Sequence, residues 1–408
     1  MPPTDRVLLD HAATTPVRPA ALAAFAEAAA LGANPASLHA AGRRAKLVLE
    51  QARERVAAAM GAHPSEVVLT SGGTEADNLA VQGLYRARRR AEPARTRIVH
   101  TGIEHHAVLD TIAWLASHEG AESVLVPVDD DGVVDLDAWA ALEEAPERTA
   151  LATLMWANNE VGTVQPVVDA ARLAAEHGVP FHTDAVQAVG SLEVDFADAG
   201  AATLALSGHK LGAPVGVGAL LVRRDVTLEP VAHGGGQERR LRSGTVSVAL
   251  AAALAAALEE AVAGRAAEAE RLGALRDRVL AAVEGFPGVR VSGARDVDPL
   301  TGERLPAGTR RLPGNVHVTV DGVSADALLF RCDMAGFDTS SGSACTAGVA
   351  EPSHVLEAMD LGERARWTQR LTLGHTTTED DVERLLAGLP QVLRAGGSAA
   401  APTGEDGR

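Results

Sequence analysis

Short apolar runs alternate with helical patterns through the first half of this 408-residue chain. Runs of this length, separated by helices, are typical of buried strands. A strand, a helix and the next strand connect by a right-handed crossover, so the alternation predicts an α/β fold with a mostly parallel sheet covered on both faces. The seven predicted strands are Glu66–Thr70, Arg97–Thr101, Ser123–Val128, Ala150–Met155, Pro180–Thr183, Thr203–Ser207 and Gly218–Val222.

The alternation stops after Gly244, which indicates a second, smaller α+β domain. One long helical pattern covers 246–283, and two strand-like runs follow at 289–292 and 316–320. A chain of this length exceeds what one hydrophobic core usually holds, so two domains are expected. We predict a large domain over 17–264, a small domain from 1–16 and 265–393, an exposed excursion at 294–310, and a disordered low-complexity tail at 394–408.

Lysine is almost absent from this chain. Of its 37 basic residues only Lys46 and Lys210 are lysines, and all the others are arginines. Arginine stays protonated, whereas a desolvated lysine can lose its proton and form a Schiff base. Lys46 lies in an arginine-rich run and needs no chemical explanation. Lys210, in Ser-Gly-His-Lys directly after a predicted strand, is the candidate imine-forming residue.

A candidate phosphate site and a histidine pair follow the first two predicted strands. In a parallel sheet, ligands bind beyond the carboxyl ends of the strands. Gly72 and Gly73 lie in a turn that follows the first predicted strand and opens a helix, where backbone N–H groups could bind phosphate or simply form an ordinary N-cap. His105 and His106 follow the next strand. We predict that one of them is functional, with a structural role or a zinc site as the weaker alternatives.

Polar residues also lie at the ends of the fourth, fifth and sixth predicted strands. Asn159 comes after the fourth strand and Asp184 after the fifth, while Ser207 ends the sixth and His209 follows it. A pyridoxal ring accepts electrons only while its nitrogen is protonated, and a fixed carboxylate keeps it so. Asp184 could serve in this way, or it could cap a turn. Together with Lys210, these residues predict a pyridoxal phosphate site.

The two cysteines, Cys332 and Cys345, differ in their surroundings. Cys345 lies in Ser-Gly-Ser-Ala-Cys-Thr-Ala-Gly, and such small residues predict an exposed loop with an accessible thiol. Cys332 fits the apolar face of a helix and is expected to lie in the core. Cys345 is therefore the candidate reactive cysteine.

Charge and targeting patterns exclude several classes of function. The formal net charge is −17, which argues against direct nucleic-acid binding. Two cysteines without metal-binding spacing suit a reducing cytosol. Neither a signal peptide nor a membrane span is predicted, so a cytoplasmic protein is expected.

With these residues assembled, the chain resembles the group I (NifS/IscS-like) cysteine desulfurases of the class V aminotransferase family. The resemblance covers nearly the whole chain. Its most specific motifs are Ser207-Gly208-His209-Lys210, His233-Gly234-Gly235-Gly236-Gln237-Glu238 with Arg242-Ser243-Gly244-Thr245, and Ser341-Gly342-Ser343-Ala344-Cys345-Thr346. The resemblance implies a fold type I transferase that uses pyridoxal 5'-phosphate and forms a homodimer.

The resemblance also implies a role for each site residue. Lys210 would form the Schiff base, His105 would stack on the cofactor ring, and Asp184 would pair with the ring nitrogen. Gln187 would contact the phenolic oxygen. The phosphate would be held by Gly73, Thr74, Ser207, His209 and, from the other subunit, Thr245. The substrate carboxylate would be bound by Asn159 and Arg370. His375 stands where many members have arginine, which leaves one auxiliary contact open.

The implied reaction converts L-cysteine to L-alanine. Lys210 would remove the Cα proton, His105 would assist proton transfer, and the thiolate of Cys345 would take the sulfur as a persulfide. The sulfur would pass to an acceptor, either an iron–sulfur scaffold or a tRNA-thiolating enzyme. No metal is expected, apart from an iron–sulfur cluster that Cys345 could bind transiently. The alternatives are a selenocysteine lyase, an aminotransferase, or an inactive scaffold protein with the same fold.

Overall fold

The computed structural model describes residues 6–342, 345–346 and 349–393, and only the backbone of 140, 141, 143, 345, 346, 349 and 350. The predicted tail at 394–408 lies outside the described residues. The strands are β1 (Val7–Leu8), β2 (Val67–Thr70), β3 (Arg97–Thr101), β4 (Glu122–Val126), β5 (Thr149–Thr153), β6 (Phe181–Asp184), β7 (Thr203–Ser207), β8 (Gly218–Val222), β9 (Val289–Val291), β10 (Asn315–Val320), β11 (Phe337–Asp338), β12 (Cys345–Thr346), β13 (Val349–Ala350) and β14 (Thr368–Thr372).

Helices connect and cover these strands. They are α1 (Pro19–Ala29), α2 (Ala40–Ala59), α3 (Gly73–Ala91), α4 (His106–Glu119), α5 (Ala141–Glu144), α6 (Val167–Glu176), α7 (Phe196–Ala199), α8 (Val248–Val283), α9 (Ala325–Met334), α10 (His354–Ala358) and α11 (Glu379–Val392). In the described part of the chain, no helix is both long and apolar enough to cross a membrane.

A seven-stranded sheet in the order β2-β8-β7-β6-β5-β3-β4 forms the centre of the larger part of the molecule. All its strands run in one direction except β8, which is antiparallel to both of its neighbours. Each predicted strand is found, with ends within two residues of the prediction. The prediction of a mostly parallel α/β sheet is therefore confirmed.

Hydrophobic burial on both faces explains why these runs form central strands. Along β7, Leu204 and Leu206 belong to one hydrophobic core, and Ala205 between them belongs to the core on the other face. Successive side chains of a strand point to opposite faces, so an uninterrupted apolar run must be covered on both sides. Helices α3 and α4 cover one face, and α8 contributes to the other.

A separate hydrophobic core lies around the three-stranded antiparallel sheet β14-β10-β9. Residues from α8, α9 and α11 pack on this sheet, and Val7 and Leu9 near the N-terminus join the same core. The N-terminal strand β1 pairs in parallel with β11. The predicted limits of a smaller domain at residues 16 and 265 stay a prediction. Helix α8 runs continuously through residues 264 and 265.

The excursion at 294–310 is only partly exposed, which corrects the expectation that it lies on the surface throughout. Leu300 is 95% exposed, but Asp296 is buried at the base of the segment. The carboxylate of Asp296 accepts hydrogen bonds from Arg276 Nη1 at 2.8 Å and from the backbone N–H groups of 308, 310 and 311. A polar sequence predicts exposure, and here one buried ion pair overrides that tendency.

Replacing Asp296 with alanine is expected to lower the free energy of unfolding by about 3–5 kcal/mol, because it leaves a buried Arg276 with one counter-charge fewer. Arg276 is 2% exposed, and it would keep only Asp277 as an acidic partner. Urea unfolding followed by circular dichroism measures the change. Asp298→Ala is the matched control, since Asp298 lies in the more exposed part of the same segment and accepts hydrogen bonds from the backbone N–H groups of Leu300 and Thr301. Equal losses in the two variants would contradict the anchoring role of Asp296.

Candidate active site

A cavity of about 370 Å³ opens at the carboxyl ends of β3, β5, β6 and β7. Parallel strands bring their carboxyl ends to one edge of the sheet, so residues far apart in sequence meet there. The cavity lining includes ten of the residues predicted from the sequence, namely Gly73, Thr74, His105, Asn159, Asp184, Gln187, Ser207, His209, Lys210 and Arg370. Thr245 is exposed and is not among the lining residues, and the side chain of Cys345 lies outside the described part of the chain.

The N-terminus of α3 forms an anion cradle at one end of this cavity. The hydroxyl of Ser207, which is 2% exposed, has no hydrogen-bond partner. A Cβ atom on Gly73 would lie 2.7 Å from the side chain of Val186, so only glycine fits where the helix begins. A free buried hydroxyl beside unpaired helical N–H groups is a suitable environment for phosphate oxygens.

His209 borders the same cavity beside Lys210. Burial, with a smaller contribution from the nearby Lys210 charge, lowers the pKa of His209 to about 4. The imidazole is therefore neutral at physiological pH, where it can donate one hydrogen bond without adding a positive charge next to Lys210.

Lys210 follows β7 in a single helical turn, and its amine points toward the N-terminal segment. The Nζ atom donates hydrogen bonds to the carbonyl oxygens of Ala12 at 2.5 Å and Ala13 at 2.7 Å. Burial, with a smaller contribution from the nearby Arg370, lowers the pKa of Lys210 to about 8. The unprotonated fraction of the amine near neutral pH is thus far larger than for an ordinary lysine, and the unprotonated amine is the form that makes an imine.

Asp184 is the last residue of β6 and lies 5% exposed on the cavity wall. Its Oδ1 accepts a hydrogen bond from the backbone N–H of Val186 at 2.8 Å. Burial, with a smaller contribution from the neighbouring Asp77, raises the pKa of Asp184 to about 7. A cationic ring nitrogen beside Asp184 would lower the pKa of this carboxyl group again and keep it ionised.

His105 caps the N-terminus of α4. Its Nδ1 accepts a hydrogen bond from the backbone N–H of Ala107 at 3.1 Å, so the neutral ring carries its proton on Nε2. Burial lowers the pKa of His105. The second histidine of the pair, His106, is half-buried and stacks obliquely on His354 with ring centroids 4.6 Å apart. Burial thus favours the neutral form of His105, the member of the pair that is predicted to stack on the cofactor ring.

Arg370 reaches the cavity from β14, on the smaller sheet. Its guanidinium donates to Asp10 Oδ1 at 2.8 Å and to the carbonyl oxygen of Asn159 at 2.9 Å, and its buried Nε has no partner. This arrangement leaves hydrogen-bonding capacity for an anionic group such as a carboxylate. Gln187, also on the lining, donates from Nε2 to the carbonyl oxygen of Ala12 at 3.0 Å.

Sequence reasoning missed Asp77, which lies on the cavity wall and is 1% exposed. Asp77, His105 and Asp184 offer three ligand atoms within 4.8 Å of one another. Such a set could bind a metal ion or surround a ring nitrogen, and the expectation of no metal stays a prediction. The spacing in the sequence could have predicted this position. Asp77 comes one helical turn after Gly73 and therefore lies on the same face of α3, the face that packs on the sheet.

His375 lies in a second, smaller cavity of about 100 Å³ beside Lys210. There Thr15 Oγ1 lies between two imidazoles, 2.6 Å from His11 Nδ1 and 3.2 Å from His375 Nδ1. Burial lowers the pKa of His11 to about 4. The side chain of His375 thus helps to join the N-terminal segment to the end of β14.

The model of the family described as aminotransferase class-V matches residues 7–385. The chain is 50% identical over 399 residues to an IscS-like cysteine desulfurase of Mycobacterium tuberculosis, covering 97% of this chain and 98% of the relative. It is 38% identical over 363 residues to the cysteine desulfurase NifS of Azotobacter vinelandii, covering 88% and 85%. Among solved structures, a NifS-like protein has a TM-score of 0.84 at 32% identity, with 95% of this chain and 99% of that chain covered. A structure titled SspA in complex with cysteine has a TM-score of 0.74 at 34% identity, with 90% and 98% covered.

Proposed function

The chain belongs to the class V aminotransferase family, and from that membership we propose that it is a pyridoxal phosphate-dependent cysteine desulfurase. The cysteine desulfurases of M. tuberculosis and A. vinelandii cover most of its length. The observation that carries the proposal is the cavity in which Lys210, Asp184 and His105 lie together beside the anion cradle of α3.

The residues present fit the cofactor. The free hydroxyl of Ser207 and the helix N-terminus at Gly73 and Thr74 would hold the phosphate, together with His209. Asp184 would face the ring nitrogen, His105 would stack on the ring, and Gln187 would contact the phenolic oxygen. When bound, the cofactor supplies a conjugated ring that takes up the electron pair released as a substrate Cα–H bond breaks.

Lys210 has two successive tasks in the proposed reaction. Its amine would first hold the cofactor covalently, and the substrate amine would then displace it. The released amine, whose pKa burial lowers to about 8, can act as the base that removes the Cα proton. The carbonyl oxygens of Ala12 and Ala13 offer the amine fixed acceptors while it is free of the cofactor.

The substrate would be oriented from the opposite side of the cavity. Arg370 and Asn159 would bind the carboxylate of L-cysteine, because the guanidinium is already fixed by Asp10 and the backbone of Asn159. His105 would assist proton transfer, including deprotonation of the substrate thiol. With its carboxylate bound in this way, the substrate would keep its sulfur atom accessible to the attacking thiolate.

Sulfur transfer would take place at Cys345. Its thiolate forms an S–S bond with the substrate sulfur while the substrate C–S bond breaks, and the electron pair stays on the three-carbon product. Protonation of that product yields alanine. The enzyme is left with a persulfide, whose outer sulfur an acceptor thiol can remove. The proposed acceptor is an iron–sulfur scaffold or a tRNA-thiolating protein, and the exposed Thr245 is proposed to complete the phosphate site of a second copy in a homodimer.

The rate at which the apo-protein captures pyridoxal phosphate is expected to rise about tenfold per pH unit below pH 8 and to level off above it. Only the neutral amine reacts, and burial lowers the pKa of Lys210 to about 8. Stopped-flow absorbance of the Schiff base band measures the rate at each pH. A rate that keeps rising to about pH 10, where an unperturbed lysine titrates, would contradict the lowered pKa.

The proposed function is tested by incubating the reconstituted protein with L-cysteine and a reductant. Alanine and sulfide should appear in equal amounts, because each turnover releases one of each. If the protein releases alanine from selenocysteine, together with elemental selenium or selenide, but releases none from L-cysteine, a selenocysteine lyase is favoured instead. Formation of a 2-oxo acid without sulfide would favour an aminotransferase, and the absence of a Schiff base band would favour an inactive scaffold protein.

A further inference from the structure

A second buried carboxyl group lies close to Asp184. Asp77, on α3, is 1% exposed, and its Oδ1 lies 3.3 Å from Nε2 of His182, which is fully buried. The other ring nitrogen of His182 lies 2.9 Å from Oγ1 of Thr203, on β7. These three residues form a buried hydrogen-bonded chain that the proposed reaction does not use.

The fold places this chain directly against the cofactor-binding carboxylate. His182 and Asp184 are two residues apart on β6, so their side chains lie on the same face of the sheet. Asp77 reaches that face from α3, one turn after Gly73. Oxygen atoms of Asp77 and Asp184 lie within 4.8 Å of each other. One helix therefore supplies both the anion cradle and the group that contacts His182.

Two buried carboxyl groups at this distance do not both ionise, because each negative charge disfavours the other. Asp184 accepts a hydrogen bond from the backbone N–H of Val186, which stabilises its ionised form. Asp77 has no cation to stabilise a charge: burial raises the pKa of Asp77 to about 8 and lowers that of His182 to about 4. The fully buried Glu104 adds a third carboxyl whose pKa burial raises, with Asp184 and Asp77 raising it as well.

We propose that Asp77 and His182 are positioning residues that decide where the charge resides: Asp77 keeps a proton and donates it in a hydrogen bond to His182, so that Asp184 is the ionised carboxylate facing the ring nitrogen. This proposal rests on the proposed function, because it assigns the partner of a bound pyridoxal ring. It also explains why an apolar helix face carries an aspartate. An alanine there would leave His182 Nε2 without a partner in the core.

Three variants test the proposal. Asp77→Asn keeps the shape and a donor for His182 without an ionisable group, Asp77→Ala removes the donor, and Asp110→Asn is the control at a side chain that is 78% exposed. The affinity for pyridoxal phosphate is measured by absorbance titration of each apo-protein. We expect the dissociation constant to stay within about threefold of wild type for Asp77→Asn and Asp110→Asn, and to rise about tenfold or more for Asp77→Ala.

Infrared spectroscopy of the apo-proteins gives a second reading that does not depend on the cofactor. The difference spectrum of wild type minus Asp77→Asn should contain the C=O stretch of a protonated carboxyl group at neutral pH, and the Asp110→Asn difference should contain a carboxylate band instead. A carboxylate band for Asp77, or an affinity loss in Asp77→Asn as large as in Asp77→Ala, would overturn the proposal. A wild-type protein that does not bind pyridoxal phosphate would refute the proposed function, while the infrared band would still locate the proton.

Discussion

Replacing Cys345 with serine is expected to reduce the release of alanine and sulfide from L-cysteine by at least about a thousandfold while leaving the cofactor bound. A serine hydroxyl is not ionised at neutral pH and cannot form a persulfide, so the substrate C–S bond would not be broken by the proposed route. The cavity residues that would hold the cofactor come from other elements, which is why its absorbance should not change. Alanine, sulfide and the visible spectrum are measured on the same samples.

Cys332 offers a matched control for this variant. It is 1% exposed in the core of the smaller part of the molecule, and burial raises the pKa of its thiol to about 11. A thiol with so little thiolate is a poor nucleophile. We therefore expect Cys332→Ala to retain the wild-type rate per folded molecule. If Cys345→Ser were as active as wild type, Cys345 would not be the sulfur acceptor, and a lyase or aminotransferase would replace the desulfurase as the proposed function.

Replacing Lys210 with alanine is expected to remove both the covalent attachment of the cofactor and the base that takes the Cα proton. Turnover should fall by at least about a thousandfold, because no other lysine is present in the cavity lining to take over either task. Reduction of the loaded protein with borohydride, followed by peptide mass analysis, should find the cofactor on Lys210 in wild type and on no peptide of the variant.

Lys46 is the natural control because it is the second lysine of the chain. It lies exposed on α2 and is not among the residues that line the cavity. Lys46→Ala should keep both the covalent attachment and the rate. Attachment of the cofactor at Lys46 in wild-type protein, or undiminished turnover in Lys210→Ala, would disprove the role assigned to Lys210.

Much of the site could be predicted because of how parallel strands are arranged. The apolar runs that become β3, β5, β6 and β7 are recognisable without a structure, since they must be buried on both faces. Their carboxyl ends meet at one edge of the sheet, so the polar residues that follow them are brought together. The cavity contains Lys210 and Asp184 for this reason, although 25 residues separate them in the chain.

Other contacts could not be predicted because they join segments whose relative position no local pattern encodes. The sequence does not indicate that the carbonyl oxygens of Ala12 and Ala13 would meet Lys210, or that Asp10 would fix Arg370 from 360 residues away. Nor does the polar composition of 294–310 indicate that Asp296 would be buried with Arg276. The contact of Ala12 and Ala13 with Lys210 joins the N-terminal segment to the larger part of the molecule. The other two contacts join residues within the smaller part that are distant in sequence or lie in segments with no regular pattern.

The sequence by itself determined the strands, the helices between them and the edge of the sheet at which chemistry takes place, because burial on two faces and the alternation of elements are properties of neighbouring residues. Only the tertiary structure decided the order of the strands, the approach of Arg370 from the smaller sheet, and the pairing of Asp77 with His182. Those features arise from side chains that become neighbours only after the chain has folded, and their charge states depend on a burial that no local sequence pattern specifies.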